Sequence, residues 1–168
     1  RVLSAWLAVH HETVDWPALV TCVRQLPPPQ EEDPWLLLRL RGQVHFHEGA
    51  YETAADCFRC VLARDPANAE SHVGLARVCQ ALNRPEERSR HLAAAQALAR
   101  IQNRLGWAAG QDAAAAPLIE IAELSRGIGL AKECRAVAEA GRRAFPDDGT
   151  LRKMAERPAT ESPKEHSE

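Results

Sequence analysis

The segment 35–68 reads WLLLRLRGQVHFHEGAYETAADCFRCVLARDPAN, and its pattern decides the fold class of the chain. The small Gly42 allows two antiparallel helices to approach closely, and the larger Phe58 fills the space beside it. Gly49 marks a turn between the two helices, and Pro66 cannot continue the second one. The segment therefore predicts a hairpin of two antiparallel helices.

The composition of the whole chain also favours helices. Alanine, leucine and arginine dominate, aromatic residues make up only 5%, and valine and isoleucine seldom alternate with polar residues. The length of 168 residues suits one domain or a small array of repeats. We expect an all-α protein.

Composition also excludes several classes of protein. The chain is 45% apolar and 26% charged, which is typical of a globular protein rather than of a disordered or collagen-like one. No apolar run approaches the ~18 residues that span a bilayer, so we expect no membrane insertion. The net charge of −2 argues against a dedicated nucleic-acid surface, so we expect no nucleic-acid partner.

The helix-hairpin pattern recurs along the chain. A second copy begins about 34 residues after the first, and a third follows after two periods plus an insertion of about 12 residues near 103–114. The turns within the three hairpins should lie at 47–49, 82–85 and 126–129. The second copy lacks the closing proline, and 86–105 contains neither Pro nor Gly, so its second helix should run on. The matching positions are Leu38, Gly42, His45, Ala54, Phe58 and Pro66; then Leu75, Ala76, Cys79, Arg88 and Leu92; then Leu118, Ile121, Ala122, Ser125, Cys134, Ala138 and Pro146.

These spacings resemble the tetratricopeptide repeat, whose pattern is an aromatic, Leu-Gly, an aromatic, Ala-x3-Phe and a closing Pro. Gly42, Ala54, Phe58 and Pro66 match in type and spacing, whereas His45 and Leu38 replace the family's aromatics. The resemblance implies an α-solenoid of stacked antiparallel helix hairpins, a right-handed superhelix. It also implies a concave groove, lined by the first helix of each pair, that binds a peptide or helix of a partner protein.

The repeats and the proline-rich stretches divide the chain into segments. The first residue is Arg1, with no initiator Met, so we expect a processed chain or a piece of a longer one. The predicted segments are an N-terminal helix hairpin (a degenerate repeat or a cap) at 1–26, an acidic Pro-rich connector at 27–34, repeats at 35–68, 69–102 and 115–148, an insertion at 103–114, a capping helix at 149–157 and a disordered tail at 158–168.

The resemblance, combined with helical spacing, yields candidate groove residues. The first helices should span about 35–47, 69–82 and 112–126, and the groove face lies opposite Leu38 and its counterparts. We expect Phe46, Arg39 and Arg77 to be the strongest anchors. The full set of partner-binding candidates is Arg39, Gln43, Phe46, His47, Arg77, Gln80, Glu123 and Arg126.

No motif indicates catalysis or a bound cofactor, and we expect neither an enzyme nor a metal site. Cys57 and Cys60 form the one pattern with redox or metal associations, but it lies within a predicted helix and brackets the core residue Phe58. His45 and His47 are two residues apart, which on a helix prevents chelation of one ion. Glu120 and Glu123 are three apart, as on many solvated helix faces.

The function expected from these observations is protein binding by a non-catalytic module. Two alternatives remain open: a thiol-based redox or metal-binding accessory unit that uses Cys57 and Cys60, and a structural repeat that associates with itself as a homo-oligomer. Five cysteines, an odd number, do not suggest a disulfide framework. They favour a cytoplasmic setting without fixing the compartment.

Overall fold

The computed structural model describes residues 16–27, 33–108 and 114–156, with backbone alone at 106–108. These residues form eight α-helices and no strand, which confirms the all-α prediction. Most of the predicted N-terminal hairpin, most of the connector, part of the insertion and the whole tail lie outside the described residues. The helices are α1 (Trp16–Arg24), α2 (Trp35–His47), α3 (Tyr51–Arg64), α4 (Ala69–Ala81), α5 (Pro85–Ala108), α6 (Ala115–Gly127), α7 (Ala131–Ala144) and α8 (Gly149–Glu156).

The chain divides into two compact units, Arg1–Leu92 and Ala93–Glu168. In the first unit, α2 packs against α1 and α3, and α4 packs against α3 and directly against α2. In the second unit, α7 packs against α6, and α8 packs against both of them. Sequential helices therefore pair within each unit.

One turn conformation recurs three times, always two residues after a helix that opens a hairpin. Gly49, Asn83 and Gly129 have φ values of 79°, 57° and 82°, the left-handed region that closes a helix. In each case the next residue's N–H donates to a carbonyl five residues earlier, over 2.8–2.9 Å. Gly129 occupies the same turn position in the third hairpin as Asn83 does in the second. The two residues are separated by one repeat period plus the predicted insertion of about 12 residues.

The turns that follow the second helix of a pair are also alike. The side chain of Asn68 accepts a hydrogen bond from the Ser71 N–H at 3.0 Å and so caps the start of α4. Asp148 accepts from the Leu151 N–H at 2.9 Å and caps α8 in the same way. Each cap stands two residues after a proline, Pro66 or Pro146, so the same local sequence rule ends one helix and starts the next.

The core of the first unit is built around the ring of Phe58. The ring is 2% exposed and lies against Gly42 of α2 and Gly74 of α4. A Cβ atom at either glycine would come within 2.6–2.9 Å of a ring carbon, closer than side chains tolerate. The two glycines therefore allow α2 and α4 to approach the ring on α3.

The core of the second unit also places a large apolar side chain against a glycine. Leu151 of α8 is fully buried, and its side chain lies against Gly141 of α7. Ile121 of α6 and Ala138 of α7 are also buried. The sequence predicts a capping helix at 149–157, and α8 occupies 149–156.

Two helix starts differ from the sequence-based expectation. The sequence predicts Pro85 in the turn before α5, but it is the first residue of that helix, where its missing N–H costs nothing. The predicted helix 112–126 corresponds to α6, which begins at Ala115 because Ala114 has extended backbone angles. Residues 112 and 113 lie outside the described part of the chain.

Candidate binding site between α2 and α4

The first unit contains a half-open concavity of about 390 Å³ between α2 and α4, which we call the α2–α4 basin. Five of the eight predicted groove residues line it: Arg39, Gln43, Phe46, His47 and Arg77. The other lining residues are Leu40, Phe58, Glu70, Val73 and Gly74.

The remaining three predicted groove residues lie elsewhere. Gln80 is exposed on α4, one turn beyond Arg77, and does not line the basin. Glu123 and Arg126 are exposed on α6, in the second unit. The sequence analysis placed these three residues on the groove face of their helices. A concavity forms only where a second helix faces that surface.

Helical periodicity explains how each helix contributes to the basin. On α2, Arg39, Gln43 and Phe46 follow one another at spacings of four and three residues. On α4, Glu70, Val73 and Arg77 do the same at spacings of three and four. The two faces meet because α2 and α4 are in direct contact.

An aromatic cluster forms one wall of the basin. The Arg77 guanidinium lies 5.1 Å from the centre of the Phe46 ring, within cation–π range. The Phe46 ring also lies 5.5 Å from Tyr51 and 5.9 Å from His47, and Trp16 of α1 lies 4.6 Å from His47. These contacts limit the rotamers that the Phe46 ring can adopt.

Arg39 forms the other wall and differs from expectation. It is buried rather than open, with the Trp35 ring 5.5 Å from its guanidinium carbon, and it pairs with the carboxylate of Glu70. Burial lowers the pKa of its guanidinium from the ordinary value of an arginine. Its Nε has no partner among the described residues, which leaves one donor of a buried cation unused.

Several basin residues were missed by sequence reasoning. Val73 and Glu70 stand one and two turns before Arg77 on the same face of α4, and that spacing was a signal for both. Gly74 is explained by its contact with Phe58 rather than by any ligand. Trp16 carried no signal, because its place beside His47 depends on the packing of α1 against α2.

The thiols of Cys57 and Cys60 lie on α3, outside the basin. Cys57 is 2% exposed, and burial raises the pKa of its thiol to about 11. Cys60 is partly buried. A reactive thiol needs a lowered pKa, so the environment of Cys57 suits core packing.

Thiol labelling should therefore be slow at Cys57. At pH 7.5 a thiol with a pKa of about 11 is thiolate at less than roughly one part in a thousand, so iodoacetamide should modify Cys57 more slowly than the partly buried Cys22 and Cys60. Peptide mass spectrometry after timed labelling measures this order, and labelling in denaturant shows that all five thiols can react. Fast modification of Cys57 in the folded chain would contradict the packing interpretation.

The two glutamates noted in the sequence, Glu120 and Glu123, differ in their surroundings. Glu120 pairs with Arg104 at 2.7 Å in the second unit, whereas Glu123 is exposed. Among the described residues, no group of three or more His, Cys, Asp or Glu side chains is placed to hold a metal ion. None of the described helices has the length and apolar character needed to cross a membrane.

The chain matches no protein-family model, no curated protein and no solved structure. Its function must therefore be inferred from its own residues.

Proposed function

We propose that this chain is a non-catalytic protein-binding module of the tetratricopeptide-repeat type, in which stacked helix hairpins hold a peptide or helix of a partner protein. The recurrence of one left-handed turn at Gly49, Asn83 and Gly129 supports the repeat interpretation. The matching caps at Asn68 and Asp148 support it further. The turn residues and the capping residues thus recur in the sequence together with the turns and caps that they form.

The observation that carries the proposal is the α2–α4 basin. Its lining combines the aromatic Phe46, the exposed Val73 and the guanidinium groups of Arg39 and Arg77. Interfaces concentrate their binding energy in aromatic and arginine side chains of this kind. A basin that lies between the first helices of consecutive hairpins is also where the resemblance places the partner.

The charges of the basin favour a ligand of particular chemistry. Two guanidinium groups face one carboxylate, Glu70, so an excess positive charge remains. We expect the ligand to be an extended or helical segment that inserts an apolar side chain beside Phe46 and Val73. An acidic side chain next to that anchor would pair with Arg77.

Of the two alternatives, the thiol-based unit is disfavoured by the burial of Cys57 and its raised pKa. Self-association has no specific support from the described surfaces, although Trp16 and Trp35 are partly exposed. Protein binding through the basin therefore stands as the function best supported.

Peptide selection tests the proposal and does not require the partner protein to be identified first. A phage-displayed library of random peptides, selected on the purified chain, should yield sequences with an apolar anchor and a nearby carboxylate. Phe46→Ala and Arg77→Ala should each weaken the binding of a selected peptide by about 1–3 kcal/mol, or roughly 5- to 150-fold in Kd. Calorimetric titration measures the affinities.

Arg59→Ala is the matched control, because Arg59 is exposed on α3, does not line the α2–α4 basin and pairs with Asp56 of the same helix at 3.0 Å. It removes the same charge as Arg77→Ala and should leave peptide affinity within about twofold. If selected peptides bind the wild type, Phe46→Ala and Arg59→Ala equally well, the basin is not the binding site. If selection yields no peptide above background, the proposed function fails as well.

A further inference from the structure

Two histidines meet at the contact between α4 and α5, outside the α2–α4 basin. The Nδ1 atoms of His72 and His91 are 3.1 Å apart, and their ring centres are 5.3 Å apart. Both side chains are partly buried. Neither histidine lines the α2–α4 basin or belongs to the buried core.

A backbone contact fixes the tautomer of His72. Its Nε2 lies 3.1 Å from the carbonyl oxygen of Pro66, which can only accept a hydrogen bond. Nε2 therefore carries the proton, and Nδ1 of the neutral ring presents a lone pair to His91. Metal-binding histidines are oriented in this way, with the nitrogen that does not bind the metal donating to a carbonyl or carboxylate.

We propose that His72 and His91 form a bidentate site for a divalent transition-metal ion of the kind that imidazole prefers, such as Ni²⁺, Cu²⁺ or Zn²⁺. The separation of the two nitrogens supports this assignment. Metal–nitrogen bonds of about 2.0–2.1 Å place two ligand nitrogens about 2.9 Å apart at a right angle and about 3.3 Å apart at a tetrahedral angle. The observed 3.1 Å lies between these values.

Binding requires one proton to move. Without metal, His91 must donate its Nδ1–H to the lone pair of His72 for the 3.1 Å contact to be a hydrogen bond. With metal, both Nδ1 atoms supply lone pairs, so His91 carries its proton on Nε2 instead. The neutral pair exchanges one tautomer for another and releases no net proton, while water completes the coordination of the ion.

The surrounding charges are mixed, since Glu87, Arg90 and Arg59 all act on His91. Coulomb attraction of a cation is therefore weak, and the affinity must come from coordination. Because one ligand lies on α4 and the other on α5, the bound ion would join the two helices.

Titration of the 168-residue chain with Ni²⁺ tests the site, since Ni²⁺ binds imidazole and disturbs thiols less than Cu²⁺ does. Calorimetry should show a binding event that His91→Gln and His72→Gln each weaken by at least tenfold. His45→Gln is the matched control, because it removes one partly buried histidine from α2 and leaves the pair intact. It should keep wild-type affinity.

A second measurement locates the ion directly, even where a variant folds poorly. Paramagnetic Ni²⁺ at substoichiometric amounts should broaden the imidazole NMR signals of His72 and His91 before those of the other histidines. The proposal is overturned if affinity is the same in the wild type and His91→Gln. It is equally overturned if broadening appears first at other histidines, or if no binding occurs at millimolar Ni²⁺. None of these outcomes bears on peptide binding in the α2–α4 basin.

Discussion

Replacing Phe58 by alanine is expected to lower the free energy of unfolding by about 3–5 kcal/mol. The ring is 2% exposed and fills the space between Gly42 of α2 and Gly74 of α4. Neither glycine has a side chain that can move into the cavity left behind, so little relaxation is available. Denaturant unfolding followed by circular dichroism measures the loss.

A second substitution tests the reason for that loss. In the wild type, Gly74→Ala should destabilise by about 1–3 kcal/mol, because its Cβ would lie 2.6 Å from the Phe58 ring. In the Phe58→Ala background the same change should stabilise by up to about 1 kcal/mol, since alanine favours helices over glycine. An effect of Gly74→Ala with the same sign in both backgrounds would contradict the packing described for α2, α3 and α4.

Replacing Leu151 by alanine is expected to lower the free energy of unfolding by about 2–5 kcal/mol. Leu151 of α8 is fully buried, and its side chain lies against Gly141 of α7. The loss should appear in denaturant unfolding. Lys153→Ala, an exposed change on the same helix, should stay within about 0.5 kcal/mol of the wild type.

Gly141 provides the corresponding rescue for Leu151→Ala. A Cβ at Gly141 would lie 2.8 Å from Leu151 Cδ2, so Gly141→Ala alone should destabilise. Combined with Leu151→Ala, it should recover part of the lost stability by refilling the space. Additive losses in the double variant would show that these two residues do not share one contact.

Local signals in the sequence were sufficient for the helices and turns. Glycine at 49 and 129 and asparagine at 83 mark left-handed turns, and the proline followed by Asn68 marks the end of one helix and the cap of the next. These are short-range effects, which act within a few residues and can be recognised without a partner helix. The sequence analysis assigned Pro85 to the turn before α5 rather than to the first residue of that helix. Local sequence could not distinguish the two, since both positions accommodate proline.

The candidate site was only partly predictable, because it depends on which helices face each other. Phe46 and Arg77 were identified from spacing, and the structure brings their side chains to 5.1 Å from one another. The burial of Arg39 against Trp35 and Glu70 was not, since no local pattern encodes an ion pair between α2 and α4. Gln80 was included for its spacing, but it does not line the α2–α4 basin.

The His72–His91 contact shows the same limit more strongly. The two residues are 19 positions apart on different helices, and neither belongs to a motif with metal-ligand spacing. Their approach follows from the antiparallel pairing of α4 with α5. A pair of this kind can be recognised only when the three-dimensional arrangement of the helices is known.

The most direct test of the central claim is to map where a bound peptide touches the protein. Backbone amide shifts of the ¹⁵N-labelled chain should be recorded during titration with a peptide obtained from the phage-displayed library. If α2 and α4 form the binding surface, the largest shifts should cluster at Gln43, Phe46, Val73, Gly74 and Arg77, with little change on the exposed face of α3. Shifts concentrated on α3 or on α6–α8, with the α2–α4 basin unaffected, would contradict the claim.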